Sequence, residues 1–96
     1  MFSVCLTLTV FRNIRSDKSS LKVGVSSESD CHNGCAENAM CLAFDVQHPS
    51  TVNEAELRCY YYYAMVTTLE EIVASRVAAS GFVQHVIRRT GVCAGK

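Results

Sequence analysis

The sequence predicts an α+β fold: an antiparallel sheet of about five strands with one main helix packed on it, stapled by disulfides, with a short second helix. Three observations predict it. Several short runs alternate apolar and polar residues, as half-buried strands do. One segment, 28–38, carries two cysteines four apart, which on a helix share a face. And six cysteines stand in 96 residues, an even number and a high density for a small chain.

The length suits one domain, 1–96. A domain this small buries only about 60–65% of the surface its unfolded chain exposes, so its core alone is marginal and cross-links help. The composition is that of a folded globular protein: 49% of residues are hydrophobic and 19% charged. No apolar run is long enough to span a bilayer.

Each element has its own signal. Phe2, Val4, Leu6, Leu8 and Val10 alternate with Ser3, Cys5, Thr7 and Thr9, a strand over 2–11. The same stretch lacks the basic start and small-residue cleavage site of a secretory leader, so the chain reads as a mature module of a longer secreted precursor. RNIRSDKSS (12–20) is turn-like, and Leu21, Val23 and Val25 make a short second strand. Ser27 with Asp30 resembles a capping box and starts a helix over 28–38. LAFDVQ (42–47) is a strand, and HPSTVNE, with the single proline, is the loop after it. LRCYYYY (57–63) is a strand rich in aromatics. Two overlapping Thr-x-x-Glu starts, with Leu69, Ile72, Val73 and Val77 at helical spacing, predict a helix over 67–79. Gly81 ends it, and 82–90 is the last strand, running on to Cys93.

The cluster DCHNGCAENAMC (30–41) admits three chemistries: a metal site, a reactive thiol, or part of a disulfide framework. Structural zinc draws its ligands in close pairs. Cys31 and Cys35 make one such pair, with Cys41, Cys59, His32 or His48 to complete four, but no second close pair follows. His32 also points about 100° away from the Cys31/Cys35 face. A catalytic thiol needs a base and a lowered pKa. The helix start favours a Cys31 thiolate, Asp30 opposes it, and no C-x-x-C motif occurs. Disulfides account for all six cysteines. Six cysteines allow 15 pairings, and spacing alone does not choose among them.

The spacing Cys-x25-Cys-x3-Cys-x5-Cys-x17-Cys-x33-Cys resembles the PAN/apple domain family. SESDCHNGCAENAMCLAFDV, then RCYYYY, is similar to that family's helix with two cysteines, third cysteine, strand and cysteine-bearing strand. SGFVQHVIRRTGVC is similar to its last strand and final cysteine. The resemblance implies the pairs Cys31–Cys59, Cys35–Cys41 and Cys5–Cys93. In the loop-entropy model such closures contribute about 3.6, 2.3 and 4.6 kcal/mol respectively. It also implies a non-catalytic extracellular adhesion module that binds protein or carbohydrate, often beside further modules of a larger assembly. No cofactor is expected.

The residues leave function less defined. His32, His48 and His85 stand in no triad pattern, Glu70 and Glu71 diverge on a helix, and no Gly-rich phosphate loop occurs. Net charge is zero, which gives no case for nucleic acid. The charge is unevenly spread: residues 1–25 carry +3, 26–75 carry −7 and 76–96 carry +4. Joined ends would gather Arg12, Arg15, Lys18, Lys22, Arg88 and Arg89 into one basic flank, suited to sulfated or sialylated glycans or to an acidic partner. On the tyrosine strand, Cys59, Tyr61 and Tyr63 share the helix side, whereas Arg58, Tyr60 and Tyr62 face the other way. Tyrosine and arginine are favoured at binding surfaces. The candidate ligand-binding residues are therefore Arg58, Tyr60, Tyr62, Arg12, Arg15, Arg88 and Arg89. The alternatives to protein recognition are glycan binding and a structural role in an extracellular assembly.

Overall fold

A computed structural model describes residues 5–19, 21–49 and 56–90. Seven elements follow in order: β1 (Cys5–Arg15), β2 (Leu21–Val25), α1 (Glu28–Ala36), β3 (Cys41–Gln47), β4 (Leu57–Tyr63), α2 (Leu69–Ala74) and β5 (Val77–Thr90). The strands form one antiparallel sheet in the order β1-β5-β3-β4-β2. The α+β class and the element order are those the sequence predicts.

The register divides side chains between two faces. Phe44, Val46, Cys59, Tyr61 and Ile87 form the helix-side core with Cys31, Cys35 and Cys41. The opposite face holds Ala43 and Tyr62, covered by Ile72 of α2. Regular alternation from Phe44 and Val46 would put Cys41 on the α2 side. A register shift between Cys41 and Ala43 prevents this: Cys41 pairs with Tyr63, and Ala43 with Tyr62. The extra residue, Leu42, is a bulge that re-aims its neighbour. Cys41 thereby turns toward α1 and bonds Cys35.

Cys31 bonds Cys59, so both inner pairs are those the family resemblance implies. Among the described residues no cysteine is free. The Cys5–Cys93 pair lies outside them, because Cys93 is not described; the backbone of Cys5 pairs with Thr90, three residues before it.

Two helix predictions need correction. Ser27 is the N-cap of α1, but its side chain makes no capping bond. Its hydroxyl meets Ser29, and the Asp30 carboxylate accepts from Ser26 instead. The predicted 67–79 helix is only Leu69–Ala74. Its start is the second Thr-x-x-Glu: Thr68 Oγ1 accepts from the Glu71 amide at 3.2 Å, and the Thr68 amide donates to Glu71 Oε1 at 3.0 Å. Val77 leaves the helical path because it pairs with Arg15 in the sheet. β1 likewise runs on through the predicted turn to Arg15, over an irregularity at Asn13, whose φ is 60°. Gly81 ends no helix; with φ at 84° it sits inside β5, where its carbonyl accepts from the His48 amide.

The basic flank also needs correction. Arg89 is committed internally: its guanidinium donates to the carbonyls of Cys41 (2.6 Å), Asn38 (2.8 Å) and Cys35 (2.9 Å). Helix C-termini leave carbonyls without intrahelical partners, and a cation is favoured there. α1 has no basic residue in its own last turn, so β5 supplies one. Arg89→Ala should lower stability by about 2–3 kcal/mol through loss of these charged hydrogen bonds. Arg88→Ala, at an exposed position, should change it by under about 0.5 kcal/mol. Urea unfolding of the two variants measures the difference.

Candidate functional site

The fold does not gather the seven candidate ligand-binding residues into one site. Arg12 pairs with Val83 and shares the helix face of the sheet, whereas Arg88 pairs with Thr7 and belongs to the other face. With Arg89 occupied at the end of α1, no continuous basic flank forms from these three residues.

Tyr62 is not a surface residue. It is fully buried in a polar network that spans the α2 face. Its hydroxyl contacts the Asp45 carboxylate and lies 2.8 Å from the Ser16 carbonyl. The Ser16 amide donates to Asp45 Oδ2 at 3.2 Å. Gln84 Nε2 donates to Asp45 Oδ1 at 3.0 Å and to Ser16 Oγ at 2.9 Å. Gln84 Oε1 accepts from Arg76 Nε at 2.7 Å, and Ser16 Oγ donates to the Ile72 carbonyl at 2.6 Å. The network thus ties the end of β1, three central strands and the last turn of α2 together.

Burial raises the pKa of Asp45, against the lowering effect of hydrogen bonds from Tyr62, Gln84 and Ser16 and of the Arg15 charge. Burial first, then the Asp45 contact, also raises that of Tyr62. The geometry agrees with a neutral Asp45. One phenol proton cannot serve both Asp45 and the Ser16 carbonyl. A protonated carboxyl donates to Tyr62 and frees the phenol proton for Ser16. The cluster is closed off, and its chemistry is that of a brace.

The rest of the tyrosine face is more accessible. Tyr60 is half-buried; its hydroxyl donates to Gln47 Oε1 at 2.6 Å and its ring lies 5.7 Å from that of Phe82. The Arg15 guanidinium lies over the Phe82 ring at 5.4 Å. Arg58, exposed, follows on β4 with its backbone opposite Gln47. Two candidates, Arg15 and Tyr60, therefore flank Phe82, whose part the sequence reading missed, and Arg58 lies in the same cross-strand row beyond Gln47. The aromatic at position 82 and its alternation with Gln84 were the available signal.

A second surface was not foreseen. Only Ile72 of the α2 stripe is buried. Met65 (72% exposed), Val66 (63%), Leu69 (45%) and Val73 (46%) remain in solvent. A shallow depression of about 560 Å³ is lined by Leu69, Glu70, Val73 and Ala74.

Among the described residues no group of three His, Cys, Asp or Glu side chains is placed to hold a metal ion. His32 sits on α1 with its ring edge-on to Phe44 at 6.4 Å. The disulfides fit an extracellular protein, and among the described residues no helix is long and apolar enough to cross a membrane. No protein-family description, curated protein or solved structure matches the chain.

Two measurements test the brace. Tyr62→Phe should cost about 1–3 kcal/mol, because it leaves the buried Ser16 carbonyl and the Asp45 carboxyl without their phenol partner. The pH test has a definite sign. A raised folded pKa means that Asp45 contributes stability below its unfolded value of about 3.9, and that this is lost as pH rises through the folded value. Relative to Asp45→Asn, the wild-type urea midpoint should therefore rise as pH falls from 7 to 4. A relative fall would mean that the fold prefers the carboxylate.

Proposed function

We propose that the chain is a secreted, non-catalytic recognition module of the PAN/apple kind, and that it binds another protein. The observation that carries the reading is the row of exposed apolar side chains on α2 and its lead-in turn: Met65, Val66, Leu69 and Val73. Apolar groups gathered on the surface of a small domain favour protein interaction. The two inner disulfides, paired as in that family, support the family reading. The polar groups best suited to chemistry, Asp45 and Tyr62, are sequestered in the brace, which supports a binding role over catalysis.

Glycan binding is the second reading, and a different observation favours it. The Tyr60–Phe82 pair with Arg15 above it joins flat apolar area to positive charge, a combination suited to an acidic sugar.

Met65→Ser/Leu69→Ser separates the two. Captured from its native extracellular fluid, a protein partner should bind wild type at least tenfold more tightly than this variant, read by surface plasmon resonance. Arg58→Ala/Tyr60→Ala should bind as wild type does. Signal on a sulfated or sialylated glycan array that is lost in Arg58→Ala/Tyr60→Ala and kept in Met65→Ser/Leu69→Ser would favour the glycan reading.

A further inference from the structure

The two edges of the sheet are finished differently. β2, at one edge, is five residues long and carries Lys22 and Gly24. Short length and an edge lysine are ordinary ways of stopping a strand from pairing further. β1, at the other edge, has 11 residues. From Arg12 onward it too is blunted: Arg12 and Arg15 bring charge, and the ladder is irregular at Asn13, whose φ is 60°. The stretch before Arg12, CLTLTVF (5–11), has none of these devices. It contains no charge, no proline and no glycine, and it pairs with β5 in unbroken register.

That stretch is open along its outer side. Among the described residues, the backbone of 5–11 makes no hydrogen bond outside its pairing with β5. One row of N–H and C=O groups therefore points away from the sheet, as on any edge strand. The side chains are open as well. Leu8 (40%) and Val10 (44%) are exposed on the helix side of the sheet, and Thr7 and Thr9 are exposed on the other. α1 packs mainly on β3, and a cleft lined by Leu8, Ser29 and His32 lies between it and β1.

The sequence of the stretch fits its own copy. Two identical strands related by a twofold axis normal to the sheet run antiparallel and present the same patch to each other. Leu8 is the midpoint of 5–11, so a pairing centred there uses the whole uncharged run. It sets Leu8 opposite Leu8, Leu6 opposite Val10 and Thr7 opposite Thr9. Thr–Thr pairs are favourable cross-strand neighbours. Like faces stay together, so the exposed Leu8 and Val10 of both copies join in one apolar strip. The positive charges stay apart: the two Arg12 residues fall on opposite sides of the centre, roughly 27 Å from each other at about 3.4 Å per residue. A parallel pair in register would set them face to face. The antiparallel pairing also closes, since it consumes β1 of both copies and leaves only the blunted β2 edges outside.

We propose that residues 5–11 of β1 are a strand-addition interface whose occupant is β1 of a second copy. The product is an antiparallel dimer with one continuous sheet running β5-β1-β1-β5 through its middle. It does not rest on the recognition reading, because Met65, Leu69 and Tyr60 take no part in it.

Light scattering after size-exclusion chromatography of the oxidised protein, across micromolar concentrations, tests it. Wild type should show twice the mass of one chain. Leu8→Lys and Leu8→Glu each set like charges opposite one another at the centre, so each alone should show the mass of one chain. An equimolar mixture of the two should recover the doubled mass. Met65→Ser/Leu69→Ser should dimerise as wild type does. A wild type that stays at the single mass would overturn the proposal. So would a dimer that survives in Leu8→Lys, a mixture that stays at the single mass, or a dimer lost in Met65→Ser/Leu69→Ser. If the Leu8 variants do not fold, hydrogen exchange of wild type decides alone. Amides within 5–11 should exchange more slowly as concentration rises, and exchange that ignores concentration would overturn the proposal.

Discussion

The rest of the structure depends on α1 being pinned across the middle of the sheet by two bridges. Cys31–Cys59 ties the first half of the helix to β4, and Cys35–Cys41 ties its end to the start of β3. Nine residues of helix, with a poorly satisfied N-cap and no cation in the last turn, would not hold this position by propensity alone. In the loop-entropy model the two closures contribute about 3.6 and 2.3 kcal/mol, against a total stability of about 5–15 kcal/mol for a typical domain. Two smaller devices make the pinning work. The bulge at Leu42 turns Cys41 to the helix side, and Arg89 supplies the cation that the helix end lacks.

With one face closed by cross-links, the other is closed by polarity. The Asp45–Tyr62–Gln84–Ser16 network seats α2 through a single buried isoleucine and a carbonyl. A well-satisfied buried polar network specifies one arrangement where a small apolar contact would allow several. It also explains why α2 is short and thinly buried. The helix has one inward apolar residue to give, and Leu69 and Val73 stay exposed. The scaffold's two faces thus differ in character, one covalently stapled and the other hydrogen-bonded and bordered by exposed apolar groups.

Much of this was legible in the sequence, and the exceptions have physical causes. Strict alternation identified the strands, and the four-residue spacing of Cys31 and Cys35 placed both on the buried face of α1. The alternation of Tyr60–Tyr63 sorted the tyrosines to the right faces. It could not say which of the outward pair would be covered, because that depends on where α2 docks; Tyr62 is covered and Tyr60 is half-open. Helical spacing overextended α2 to Val77, since the same apolar residues also suit a strand, and pairing with Arg15 decided for the sheet. Arg89 looked like surface charge because its partners, three backbone carbonyls, leave no mark in side-chain pattern. Asp45, set between Phe44 and Val46 inside a buried strand, was the readable sign of an internal polar network.

The cysteines of the 30–41 cluster are structural staples with separate partners. The most direct measurement is peptide mapping by mass spectrometry of protein alkylated and digested without reduction. One linked peptide pair should join Cys31 to Cys59 and a second link Cys35 to Cys41, with no alkylated thiol at these four positions. A Cys31–Cys35 link, or alkylation of these cysteines in the folded protein, would contradict that pairing.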